Sequence, residues 1–130
     1  MKPFLKSIFA FSFAAAVLTF AAAPAAADIT SGIWLRDDGA AKVRMQRCGE
    51  ALCAINVWIK TPGDEKVGDR LVLQVEPRGP GRLEGAAFDP QRNLRFSSRI
   101  TYSDTTMTTS GCILGGLLCR SVNWTKVSSR

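Results

Sequence analysis

The chain contains no histidine. That removes the most frequent general base, the usual switch near neutral pH and a favoured zinc ligand. Its four cysteines, Cys48, Cys53, Cys112 and Cys119, show no Cys-x-x-Cys spacing, so they spell out neither a thioredoxin-like redox pair nor a zinc clamp. No Gly-x-Ser-x-Gly elbow presents a serine nucleophile. Acidic pairs are limited to Asp37-Asp38 and Asp64-Glu65. Both lie in turn sequences and read as solvated turn residues rather than as a two-carboxylate hydrolase. Beyond residue 27 no window carries the apolar period of a helix. Enzymatic activity is therefore disfavoured, and no catalytic residue, metal site or cofactor is expected.

The first 27 residues have the layout of a secretory leader. Lys2 and Lys6 give a charged start, an apolar run from Ile8 to Ala23 is broken only by Ser12 and Thr19, and Ala25-Ala26-Ala27 offers a small-residue exit. Cleavage is expected after Ala27, leaving residues 28–130 as a single domain in the periplasm, or secreted outright. No cysteine follows the cleavage point, which argues against a lipid anchor. The run approaches a short membrane span in length, but its alanines are weak membrane residues, so the mature protein is not expected to span a bilayer. Of the 17 Lys and Arg, Lys2 and Lys6 leave with the leader, so 15 face 11 Asp and Glu. The excess is scattered along the chain, which favours solubility and weak attraction to anionic surfaces but does not indicate nucleic acid.

In the mature part, turn signals recur every 8–12 residues: Asp37-Asp38-Gly39, Gly49-Glu50, Thr61 to Asp64, Pro77 to Gly81, Asp89-Pro90 and Ser103-Asp104. Between them apolar and polar residues alternate with period two, as in Val43 and Met45 against Lys42 and Arg44, or Leu71 and Leu73 against Arg70 and Gln74. The expectation is all-β, about eight strands near 31–36, 41–47, 53–60, 70–76, 82–88, 94–102, 104–112 and 119–126. Short loops imply an antiparallel meander, and closure into a small barrel removes exposed edges. The expected core is Trp34, Val43, Met45, Ile55, Val57, Leu71, Leu73, Leu94, Phe96, Ile100, Met107, Val122 and Trp124. Eight short strands enclose an interior that side chains can fill, which argues against a roomy cavity.

Each cysteine pair brackets a turn, so two local disulfides are expected, Cys48–Cys53 and Cys112–Cys119. With Cys112 opposite Cys119, Ser110 meets Ser121, Thr108 meets Asn123, Met107 meets Trp124 and Thr109 meets Val122. Polar then pairs with polar and apolar with apolar, and the bridge lies on the wet face. In the first hairpin the same placement would set Arg44 against Val57. Shifting by one pairs Met45 with Ile55 and Val43 with Val57, and puts Cys48 in the loop or a bulge. Each bridge closes a short loop and should stabilise by about 2–3 kcal/mol at most.

Several short motifs recur in a characteristic order: Gly32-Ile-Trp34, Cys48-Gly-Glu-Ala-Leu-Cys53, Ala87-Phe-Asp-Pro90 before Asn93-Leu-Arg-Phe96, Gly111-Cys112, Cys119-Arg120 and Trp124-Thr-Lys126. Together they resemble the exported bacterial family of domain of unknown function 2147, over nearly all of the mature chain. The resemblance implies export and a lipocalin-like β-barrel, and supplies no catalytic residues. The stretch Thr61 to Gly68 is shorter than is usual there and lacks its Asn-Pro, making this a compact variant. Gly32-x-Trp34 also resembles the opening of lipocalin barrels, where the tryptophan plugs one end against a late-strand basic residue; Arg120 or Lys126 is placed for that part.

In a meander, alternate turns share a barrel end. The loops near 37–40, 61–69, 89–93 and 113–118 fall together, flanked by Arg36, Lys60, Arg95 and Arg120. Ile113, Leu114, Leu117 and Leu118 add an apolar lip where turns are normally polar. By parity Arg120 shares the face of Val122 and Trp124, so a buried Arg120 would need an anionic partner. This end is the candidate surface for a small apolar or anionic, lipid-like ligand. The second reading is a structural or protein-interaction module of the cell envelope with a filled core and an envelope protein as partner.

Overall fold

The computed structural model describes residues 10–19 and 27–129. Most of the expected leader, residues 1–9 and 20–26, lies outside the described residues. Residues 10–19 carry no regular secondary structure and are exposed.

The remainder is all-β: β1 (Ile33–Arg36), β2 (Ala41–Cys48), β3 (Ala51–Ile59), β4 (Arg70–Pro77), β5 (Arg82–Asp89), β6 (Leu94–Tyr102), β7 (Thr106–Ile113) and β8 (Leu118–Ser128). Each pairs antiparallel with the next, and β8 pairs with β1 to close the barrel. One turn of 3-10 helix, Leu114–Gly116, links β7 to β8. No helix among the described residues is long and apolar enough to cross a membrane.

Parity sets the two faces of the wall. Trp34, Met45, Leu73, Ile100 and Met107 are almost wholly buried and form one cluster with Val43, Leu52 and Ala87. Leu52 and Met107 sit at the strand ends beside the turns 49–50 and 103–105, so this packed core fills the barrel half on that side. The chain segment before β1 closes the same end. Trp34 donates its indole N–H to the Ile29 carbonyl at 3.2 Å, and the Lys126 ammonium stands 4.8 Å from the Trp34 ring centroid while donating to Ser31 Oγ at 3.0 Å. Lys126, rather than Arg120, is thus the late-strand cation against the tryptophan.

Both disulfides form, Cys48–Cys53 and Cys112–Cys119. Such bridges persist in oxidising surroundings and fit an extracellular or periplasmic location. The β7–β8 register matches the expected one residue by residue, with Cys112 opposite Cys119 and Met107 opposite Trp124.

The β2–β3 hairpin differs. Cys48 is the last residue of β2 and pairs with Ala51 across the two-residue turn Gly49-Glu50. A two-residue turn fixes register, and Gly49 at φ +66° supplies the left-handed backbone it needs. Met45 consequently faces Ala54 and Val43 faces Asn56, with a bulge between Lys42 and Val43. Ile55 and Val57 therefore stand on the outer face, Val57 exposed, and Leu52, Ala54 and Asn56 point inward. The disulfide runs diagonally on the outer face, from Cys48 to the residue two beyond its partner.

Candidate functional site

The barrel is not filled. A cavity of about 730 Å3 occupies its other half and opens at the end where the loops 37–40, 60–69, 90–93 and 114–117 gather. Its wall is mainly apolar: Val43, Met45, Leu71, Leu73, Phe96 and Ile100 on one side, Val122 and Trp124 on the other. Room exists because several inward positions carry small side chains. Ala54, Ser98, Thr109 and Gly111 all line it. Gly111 matters twice: a Cβ there would stand 2.8 Å from the Phe96 ring, so the glycine lets that ring lie against the β7 backbone. The Trp124 indole N–H is held by Thr109 Oγ1 at 3.0 Å, fixing the ring in the wall.

At the mouth, charges are paired by design of position. Arg36 follows Trp34 by two residues and so points to the cavity. Its guanidinium donates to both Glu65 carboxylate oxygens at 2.7 and 3.0 Å and to Asp38 at 2.9 Å. These bonds hold the Arg36 guanidinium firmly protonated, and they pull both the Glu65 and Asp38 carboxyls below their ordinary range. The Glu65 contact draws the loop 60–69 over the mouth. Gly68 N–H donates to the Asn56 carbonyl at 2.8 Å and Asn56 Nδ2 donates to the Lys66 carbonyl at 3.3 Å, tying the loop back to β3.

A second knot sits in the β5–β6 turn. Asp89 is buried, at 6% exposure, which alone would raise its carboxyl pKa; donors from Arg92 and Gln91 outweigh this and hold it ionised. Arg92 Nη1 lies 2.9 Å from Asp89 Oδ2, and its other nitrogen donates to the Asp64 carbonyl at 3.2 Å. The Gln91 amide receives the Arg70 N–H at 3.0 Å and donates to the Arg70 carbonyl at 2.7 Å, acting as one further ladder partner at the start of β4.

The residues expected at this end divide into two groups. Arg36, Ile113, Leu118 and Arg120 line the cavity. Leu114 and Leu117 project into solvent, Lys60 is exposed away from the cavity, and Arg95 lies on the outer face with its guanidinium 4.3 Å from the Phe88 ring centroid. Arg120 is exposed rather than buried, because it stands at the mouth two residues past Leu118. Among the described residues no carboxylate forms an ion pair with it. The four cysteines serve as the two bridges; Cys48–Cys53 lies outside the cavity, whereas Cys119 of the second bridge borders its mouth. Glu65, Asp89, Gln91 and Arg92 were not picked out by sequence reasoning. The available signal was parity: an inward Arg36 requires a carboxylate, and Asp64-Glu65 is the acidic pair in the facing loop.

The fold and site define a small closed β-barrel, packed at one end and hollow at the other, with an apolar wall and a charged mouth. The chain belongs to the DUF2147 family, described as an uncharacterized protein conserved in bacteria, which it matches over residues 32–126. No curated protein and no solved structure matches it.

Proposed function

We propose that this is an exported, non-enzymatic periplasmic barrel that binds one small amphiphile, its apolar part in the cavity and its anionic head at Arg120. Export rests on the leader layout of residues 1–27 and on the two disulfides. The observation that carries the binding reading is the contrast among the mouth arginines. Arg36 and Arg92 are each neutralised by a carboxylate, whereas among the described residues Arg70 and Arg120 line the opening with no ion pair, and of these two Arg120 shares its strand with the apolar Val122 and Trp124 of the wall. The cavity volume falls in the span of roughly 300–1,000 Å3 usual for small-molecule sites, and a few polar groups on an apolar wall are the usual means of orienting a ligand there.

The test is titration of the mature protein with a dansyl-labelled undecanoate, read by energy transfer from its three tryptophans, Trp34, Trp58 and Trp124. Saturation at one probe per barrel is expected. Arg120→Gln should weaken it about tenfold, the scale of one charge-assisted hydrogen bond. Ala54→Phe, which fills the cavity from β3, should abolish it. Binding that fails to saturate, or that survives Ala54→Phe unchanged, would overturn the proposal.

A further inference from the structure

The rim of the mouth carries a feature that reaches beyond the cavity: Leu94 and Leu118 line the opening, but Leu114 and Leu117 do not. Among the described residues, eight large apolar side chains of the barrel are exposed, and all but Val127 lie in the mouth half. The turns at the packed end, 49–50, 78–81 and 103–105, contain none. The concentration is sharpest on the β5–β8 side of the rim, where Leu94, Leu114, Leu117 and Leu118 are 43%, 71%, 87% and 59% exposed. Leu114 and Leu117 touch neither core nor cavity.

Two further observations separate this patch from chance exposure. Leu114 has φ +55°, a left-handed backbone that a leucine adopts only at a cost, and the result is an aliphatic side chain held in water. The segment is also anchored, because Cys112–Cys119 bridges its base. The charge around it has one sign. Arg95 and Arg120 flank the leucines, and the stretches 90–95 and 113–120 contain no acidic residue. The carboxylates of the mouth gather instead on the β1–β4 side, at Asp37, Asp38, Asp64, Glu65 and Asp69, apart from Asp89, which Arg92 neutralises.

We infer that this β5–β8 rim docks on an anionic phospholipid bilayer, with Leu114 and Leu117 inserted among the lipids and Arg95, joined by Arg120 when the cavity is empty, at headgroup level. Aliphatic tips flanked by cations are what such an interface selects: apolar area enters the acyl boundary and the arginines meet anionic headgroups. The inference goes beyond cavity binding and does not depend on it.

The experiment is flotation of the mature protein with vesicles of phosphatidylcholine containing one-quarter phosphatidylglycerol, against vesicles of phosphatidylcholine alone. Wild type should float with the anionic vesicles and should be released by salt. Leu114→Ser with Leu117→Ser should cut the apparent affinity about tenfold or more, since two inserted leucines are lost. That variant should keep its melting temperature and its probe uptake, because neither leucine lines the cavity. Arg95→Gln should weaken flotation and flatten its salt dependence. Three results would each overturn the inference: no flotation of wild type, equal flotation on both vesicles, or a leucine variant that floats like wild type. A rim that instead pairs two copies, seen as a dimer in sedimentation that the leucine variant dissolves without any vesicle binding, would overturn it as well.

Discussion

Gly32 has no room for a side chain: a Cβ would fall 2.0 Å from the Ser128 carbonyl oxygen, and its φ is +80°. The glycine lets β1 approach β8 where the barrel closes, two residues before the buried Trp34. Gly32→Ala should therefore destabilise by at least about 2 kcal/mol, combining left-handed strain with a backbone clash. A melting temperature lowered by about 10 °C or more is expected; a loss near that of Gly39→Ala, where a Cβ meets nothing, would show the closure to be looser. Residue identity made Gly32-x-Trp34 visible in the sequence. It could not reveal which basic residue covers Trp34, because Arg120 and Lys126 share one parity and only the β1–β8 register chooses Lys126. The same limit applies to Arg36. Its inward position follows from counting, but its partner Glu65 is 29 residues away in a loop whose path no local pattern sets.

The two hairpins behave differently at the scale of elements. In β7–β8 the faces differ sharply in polarity, Thr and Ser against Met, Val and Trp, so only one register satisfies both. In β3 both faces carry apolar residues. Ile55 and Val57 are bulkier and more apolar than Ala54 and Asn56, yet the tight Gly49-Glu50 turn and the bulge in β2 decide the pairing and turn Leu52, Ala54 and Asn56 inward. Side-chain size therefore misleads when a turn fixes register. Because the Cys112–Cys119 bridge spans an already satisfied register, replacing both cysteines by serine should cost no more than about 2–3 kcal/mol and leave the barrel intact. A helical or unfolded far-ultraviolet spectrum for that variant would contradict this.

The loop 60–69 offers a pH prediction. Glu65, Asp38 and Asp89 all have folded pKa values below their ordinary ones, so their stabilisation is complete above about pH 4–5 and is lost as the pH falls through the lower folded values. With no histidine to titrate, the melting temperature should stay level from pH 8 to about 5 and fall below about 4. Exchange of the Gly68 amide should speed up over the same acid range, and Glu65→Gln should speed it already at pH 7. An unchanged Gly68 rate in Glu65→Gln would mean that the ion pair does not hold the loop.

At the scale of the whole molecule, the strand count, the meander and the shared end of the four loops were legible, because turn chemistry and period two are local signals. The cavity was not. Whether eight strands enclose a packed core or a hollow depends on the summed volume of inward side chains. That sum turns on Ala54, Ser98, Thr109 and Gly111: parity alone turns the last three inward, but Ala54 takes the place expected for Ile55 only because of the β2–β3 register, and how much volume these small side chains leave open follows from the whole ring of pairings. The far half, built on Trp34, Met45, Ile100 and Met107, is packed as expected, so one barrel contains both outcomes.

The most direct measurement is native mass spectrometry of the mature protein isolated from its source cells without detergent. One bound small molecule per barrel is predicted, absent from the Ala54→Phe variant and depleted in Arg120→Gln. Bare protein from wild type, together with no saturable uptake of the dansyl-labelled undecanoate, would contradict a ligand-binding barrel.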